Sequence, residues 1–202
     1  DELRALRRAM PLVLVDRKVD GLDSDMLGLN NPQAVEMALA HLEQRGYRDV
    51  LLVTEPYDGT SSRIERVSSF QAQLQQRSAL NGAVVETGDD LATHLQTFLH
   101  NPYLGPKALF CANGVAALAA THALRKIGSR LFEDIGLIAL DDLDWYPLVG
   151  SGITALAQPT EAIGARAFEC LLKRLRGDDE AARVVDFAPV LVVRGSTLGV
   201  LQ

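Results

Sequence analysis

Apolar residues recur along this chain in two alternating rhythms. Largely apolar runs at 11–15, 50–54, 108–112, 135–140 and 153–157, interrupted only by Thr54 and Thr154, leave no polar face. Such runs belong to strands in the middle of parallel sheets covered by helices. Between them lie longer stretches with apolar residues three and four apart, such as Val35, Leu39 and Leu42, which predict amphipathic helices. Helices are predicted over 3–9, 31–45, 60–76, 91–99, 115–127 and 160–176, with shorter strands at 26–29, 83–85, 184–187 and 190–194. Asn30-Asn31-Pro32 forms a helix start, and Gly46 and Gly128 stand where helices stop. Strands and helices alternate without repeats, so the class is α/β with parallel sheet.

Composition narrows this only a little. At 202 residues the chain is long enough for one large domain or two small ones. Its net charge of -6 lacks the basic footprint of a nucleic-acid binder, so these residues alone are not suited to hold DNA. Cys111 and Cys170 fall inside a predicted strand and a predicted helix, where each is expected as a small buried apolar residue in a reducing compartment. The longest apolar runs are strand-sized, so neither a signal peptide nor a membrane span is expected. The opening DELRALRR begins in mid-helix without a cap, which leads us to expect a piece of a longer chain.

In open α/β sheets, ligands bind beyond the carboxyl ends of the strands. Reading the residues that follow each strand collects one polar set: Asp16 and Arg17, then Ser62, Arg63 and Arg66, then Asn113, Asp141 and Gln158, with Trp145 just beyond Asp141. Carboxylates, amides and guanidinium forks beside an aromatic plane suit a polyhydroxyl or carboxylate ligand. Arg63 and Arg66 lie three apart on one helix face, behind the hydroxyl-rich start Thr60-Ser61-Ser62. Plainer roles remain open for each. Asp16 and Asp141 suit turns, Asn113 and Gln158 suit helix starts, Trp145 suits packing and Arg63 suits an exposed surface. Catalytic patterns are missing: the four histidines have no metal spacing, and no nucleophile elbow, Walker loop or dinucleotide glycine fingerprint occurs. Neither an enzyme nor a cofactor is expected.

Several segments carry a resemblance. PLVLVDR at 11–17 looks like a P-V-V-x-x-D-R strand, and GLNNP at 28–32 with His41-Leu42 and GYR at 46–48 looks like V-x-x-D-N…H-L-x-x-x-G-H-R. RVSSF at 66–70 sits on R-x-x-G-F, ALFCAN at 108–113 on A-x-F-x-x-N-D, and DIGLIALDD at 134–142 on D-I-x-V-x-G-x-D-D. Ile153-Thr154 with Gln158-Pro159 and Gly164 follows L-T-T-I-x-Q-P…G. In this order, over nearly the whole chain, the set resembles the effector-binding domain of LacI/GalR-family transcriptional regulators. The resemblance implies two Rossmann-like subdomains of the type I periplasmic-binding-protein kind, with the N-terminal one incomplete here. It implies a split of 1–56 plus 158–177 against 57–157 plus 178–202. It places Ser62, Arg66, Asp16 with Arg17, Asn113, Asp141 and Gln158 at effector contacts.

Departures from the pattern are Ser69 and Gly114 in place of Gly and Asp, and Asp90 where an aromatic residue is common. Trp145 is expected to supply the stacking face instead. SSRIER and DDLDWYPLVGSGITALAQP look closest to the sugar-acid branch, which implies 2-ketogluconate or a related keto sugar acid as effector. The family further implies a cytoplasmic homodimer that binds operator DNA through a helix-turn-helix not contained in this chain. Unless another chain covers it, the first sheet would keep an open edge. A transport-associated periplasmic sugar-binding protein of the same fold is the alternative.

Overall fold

A computed structural model describes residues 2–198 and, apart from the side chain of Arg8, the packing around them. Two separate sheets organise the chain. Helix α1 (Glu2–Ala9) precedes strands β1 (Val13–Val15) and β2 (Asp25–Leu29), and α2 (Asn31–Gln44) then leads to β3 (Asp49–Thr54). Three helix–strand units follow: α3 (Ser61–Gln75) with β4 (Asn81–Glu86), α4 (Leu91–His100) with β5 (Lys107–Cys111), and α5 (Gly114–Lys126) with β6 (Gly136–Leu140). The chain closes with β7 (Thr154–Ala157), α6 (Thr160–Leu175), β8 (Val184–Phe187) and β9 (Val190–Val192).

The smaller sheet has the order β1-β2-β8, all parallel. Leu27 sits at its centre against Ile163 and Cys170 of α6. The larger sheet has the order β4-β3-β5-β6-β7-β9, parallel except where β9 runs against β7. Its two faces are built by alternation, as a period of two requires. Leu51, Val53, Leu109, Cys111, Leu137 and Ala139 face α4 and α5, while Val50, Leu52, Phe110, Ile138 and Leu140 face α2 and α3. Both cysteines are buried and unpaired.

The element pattern agrees with expectation, but its division between the sheets does not. Strand β3, expected in the first subdomain at 1–56, lies inside the larger sheet between β4 and β5, and α2 packs on that sheet too. Strand β8, expected with the second subdomain, pairs with β2. The reason is geometric: an apolar run fits the middle of either sheet, and its partners are chosen by crossover connections that the run does not encode. The chain therefore passes between lobes at Asn30, around Gln158 and at Ala188-Pro189. The expected end of the second subdomain, at 199–202, and the first residue of the other lie outside the described residues.

Candidate functional site

A cavity of about 790 Å³ lies where the carboxyl ends of both sheets face each other. All nine residues singled out from the sequence line it: Asp16, Arg17, Ser62, Arg63, Arg66, Asn113, Asp141, Trp145 and Gln158. The smaller lobe contributes the end of β1 and the start of α6; the larger contributes the ends of β3, β5 and β6. Val115, Leu118 and Leu143 add an apolar wall beside Trp145.

Arg66 is the most deeply set of the charged groups, 4% exposed. It shares a face of α3 with Ser62 and Phe70, each four residues away, and all three are buried. Its Nε donates to Asn31 Oδ1 at 2.7 Å and one terminal nitrogen donates to the Ala112 carbonyl at 3.0 Å. The other terminal nitrogen lies 3.7 Å from Asp16 Oδ1, across the lobe boundary. Burial pulls this guanidinium below its ordinary pKa, and the Asp16, Asp141 and Glu65 carboxylates oppose that pull. Ser62 Oγ donates to Asp16 Oδ2 at 3.5 Å.

A second cluster fills the corner next to it. Arg63 donates to Glu55 Oε2 at 2.5 Å and to the Pro56 carbonyl at 2.9 Å. The same Glu55 oxygen accepts from Asn113 Nδ2 at 2.7 Å, while Asn113 Oδ1 caps α5 by accepting from the Ala116 N–H. Asn113 thus has both the plain capping role and a place in the cavity wall. Asp141 accepts from Gln158 Nε2 at 2.6 Å and from the Gly114 N–H at 3.2 Å. Gly114, where the family pattern has Asp, leaves room for a neighbour: a Cβ there would lie 2.3 Å from Leu143 Cδ1.

Asp16 and Asp141 end parallel strands in different lobes, and both adopt left-handed backbone, with φ of 67° and 69°. Outside glycine, Asp and Asn tolerate this region best. Trp145 is half-buried and meets Tyr146 edge to face at 4.6 Å. Tyr146 is fully buried and donates to the Leu140 carbonyl at 2.9 Å. This bond fixes the turn that carries Asp141 and Trp145. Arg17 stands apart, with a 61% exposed side chain and a 3.7 Å ion pair to Asp16.

Glu55 also lines the cavity, and Asn31, outside the lining, holds Arg66 in place; the sequence signals of both are weak. Glu55 directly follows β3, so the strand-end rule applies to it equally, but the Pro56 beside it marks a loop. Asn31 has the pattern of a helix start, yet Asn30 alone caps α2, accepting from the Gln33 N–H, and Asn31 turns inward to hold Arg66 and Glu65. The Lys18 ammonium pairs with Glu65 at 2.5 Å, and the Lys18 N–H donates to Ser61 Oγ, which ties the β1–β2 loop to α3 across the lobes. Among the described residues, no group of His, Cys, Asp and Glu could hold a metal ion, and no helix is long and apolar enough to cross a membrane.

Comparison with known proteins accords with this architecture. Residues 39–197 match a family described as periplasmic binding protein-like domain. Over 196 residues the chain is 62% identical to the HTH-type transcriptional regulator PtxS of Pseudomonas aeruginosa, covering 97% of this chain and 58% of that protein. It is 32% identical to the HTH-type transcriptional regulator KdgR of Bacillus subtilis, covering 97% of this chain and 60% of that protein. The chain thus spans about three fifths of the length of the curated relatives it matches. Among solved structures, a LacI transcriptional regulator from a Rhodococcus species superposes with a TM-score of 0.84 at 24% identity, over 99% of this chain and 74% of the other. With sheet topology, family match and regulator relatives in agreement, the chain belongs to the periplasmic-binding-protein-like effector domains of LacI-family transcriptional regulators.

Proposed function

We propose that this domain is the sensing part of a repressor. A small sugar or sugar acid, with 2-ketogluconate or a related keto sugar acid as the best-matched effector, binds between the lobes. There it controls operator binding by the full-length protein acting as a dimer. Asp16, Arg17, Ser62, Arg63, Arg66, Asn113, Trp145, Asp141 and Gln158 are its contacts. The observation that carries this reading is Arg66, a buried guanidinium at the lobe boundary whose partners come from both lobes. A charged fork in that position favours a ligand carboxylate or hydroxyl able to bridge both halves. The hydroxyls of a sugar match the carboxylate and amide acceptors and donors of Asp141, Asn113 and Gln158, and Trp145 offers a face to the ring. Ribose is bound in a LacI-family regulator from Enterococcus faecium with the same fold (TM-score 0.79, 18% identity, over all of this chain and 75% of that one).

Such a ligand acts by preferring one relative orientation of the lobes. Only the difference in its affinity for the two orientations moves the equilibrium, and couplings of about 1–3 kcal/mol are typical. In the full-length dimer that difference reaches the DNA-reading segments, in the cytoplasm where operator DNA resides. We expect binding without chemistry, because the relatives at 62% and 32% identity are named transcriptional regulators. The transport alternative loses ground because the relatives at 62% and 32% identity are named transcriptional regulators.

Isothermal calorimetry with 2-ketogluconate, gluconate and ribose tests the reading. We expect heat with the keto acid, loss of that heat in Arg66→Ala, and ligand recovered chemically unchanged. Binding of ribose alone would overturn the sugar-acid assignment. An unchanged heat in Arg66→Ala would overturn the site.

A further inference from the structure

The cavity is charge-balanced from within. Three guanidiniums line it, from Arg17, Arg63 and Arg66, and so do three carboxylates, from Asp16, Glu55 and Asp141. The guanidiniums are not equivalent. Arg17 is exposed and, among the described residues, its side chain makes the long ion pair with Asp16. Arg66 keeps a terminal nitrogen 3.7 Å from that same carboxylate, beyond hydrogen-bond range. Arg63 is committed: it is 17% exposed, and its fork is divided between the Glu55 carboxylate and the Pro56 carbonyl.

Glu55 Oε2 therefore occupies the place that a ligand anion would take between Arg63 and Asn113. We propose that Glu55 is a specificity-determining residue, a built-in carboxylate that reserves the Arg63–Asn113 corner for hydroxyl groups and excludes a second anionic group. The inference rests on the reading that this cavity holds the effector, and it adds which effectors are refused.

Two consequences follow from the charges. A single ligand carboxylate is directed to Arg17 and Arg66, because at the other corner it would meet a like charge in a partly desolvated site. Neutral sugars and sugar monoacids keep favourable partners along the whole cavity, since Glu55 accepts from hydroxyls as readily as from Asn113. Sugar diacids and sugar phosphates bring a second anion to Glu55 and are rejected. Exclusion by an unfavourable group is as effective a route to selectivity as added contacts.

The test uses Glu55→Gln, which keeps the shape and one acceptor for Arg63 and removes the charge. Wild type and variant are titrated with 2-ketogluconate, with the six-carbon diacid glucarate and with inorganic phosphate, by calorimetry and thermal shift. We expect selectivity to change: glucarate and phosphate gain on the order of tenfold in the variant, and the ratio of their affinities to that of the monoacid rises with it. The double variant Glu55→Gln/Arg63→Ala should lose that gain, which separates anion capture at this corner from general loosening. Equal selectivity in wild type and Glu55→Gln, or a gain that survives removal of Arg63, overturns the proposal. Phosphate can also settle at Arg17 and Arg66, so the corner is read from the part of its gain that the Arg63→Ala change removes. Failure of 2-ketogluconate to bind either protein would therefore count against the sugar-acid reading, while the phosphate titration would still decide the role of Glu55.

Discussion

Tyr146 offers a sharp way to separate packing from site geometry. Replacing it with Phe removes one oxygen and nothing else, and that oxygen donates at 2.9 Å to the carbonyl of Leu140, a residue with no exposed surface. A typical buried hydrogen bond contributes about 1 kcal/mol net, and an acceptor left unpaired raises the loss toward ~1–3 kcal/mol. Burial pushes the Tyr146 hydroxyl well above its ordinary pKa, with Cys111, Asp141 and Asp142 adding to the shift, so it stays a donor across the accessible pH range. We expect Tyr146→Phe to lose about 1–2 kcal/mol, which for a domain of this size is a fall in Tm of roughly 2–8 °C. The bond lies one residue before Asp141, so effector affinity should fall as well, by several-fold. Urea denaturation measures the first quantity and calorimetry the second. A variant within about 0.3 kcal/mol of wild type, binding effector equally, would refute the idea that this hydroxyl fixes the turn.

Asp25, whose side chain is fully enclosed, accepts from both Arg174 Nε and a terminal nitrogen at 2.8 Å, and Asp25→Ala should cost on the order of 3 kcal/mol by denaturant titration. The Arg174 hydrogen bond, helped by the Arg183 N–H, outweighs burial and holds the Asp25 carboxyl below its ordinary value of 3.8. Its contribution is therefore complete above that value and lost as pH falls through the lower folded one, so the wild-type advantage over Asp25→Asn should begin to shrink in acid unfolding below about pH 4 and disappear only at lower pH. Lys18→Ala removes the interlobe ion pair with Glu65, which is half exposed on the lysine side. Effector affinity should drop by no more than about fivefold, and more at low salt than at high salt, by calorimetry. The sequence holds one tryptophan, Trp145, and it lines the cavity. Effector titration should shift its emission saturably, with the same Kd that calorimetry gives.

The candidate site was legible because parallel α/β geometry sends the carboxyl ends of strands to one edge. Asp16, Ser62, Asn113, Asp141 and Gln158 are far apart in sequence, yet one topological rule gathers them. The same rule covers Glu55, and only the nearby Pro56 and Gly59 make it look like part of a loop. Less could be known of how partners are chosen. Val184–Phe187 and Val190–Val192 are two short, mostly apolar runs separated by Ala188-Pro189, and they look like neighbours in one sheet. In the structure one extends β2 and the other runs against β7. Side-chain rhythm specifies that a strand is buried, and long-range packing decides beside which strand. Asn31 illustrates the same limit at the scale of one residue: its position beside a cap was visible, and its turn toward Arg66 depends on a helix about thirty residues further along the chain.

The left-handed backbone at Asp16 and Asp141 also bears on how such a domain can diversify. A β-branched or bulky residue at either position strains the main chain before any question of ligand arises. Drift at these two cavity positions is thereby confined to Asp, Asn and Gly. Asn would keep the local turn while removing a charge, and Gly would open space. New effector preferences are then reached more readily through the residues around them, such as Glu55, Arg63, Gly114 and Trp145, whose backbones impose no such restriction. The two aspartates are the fixed poles of the pocket, and its chemistry is edited between them.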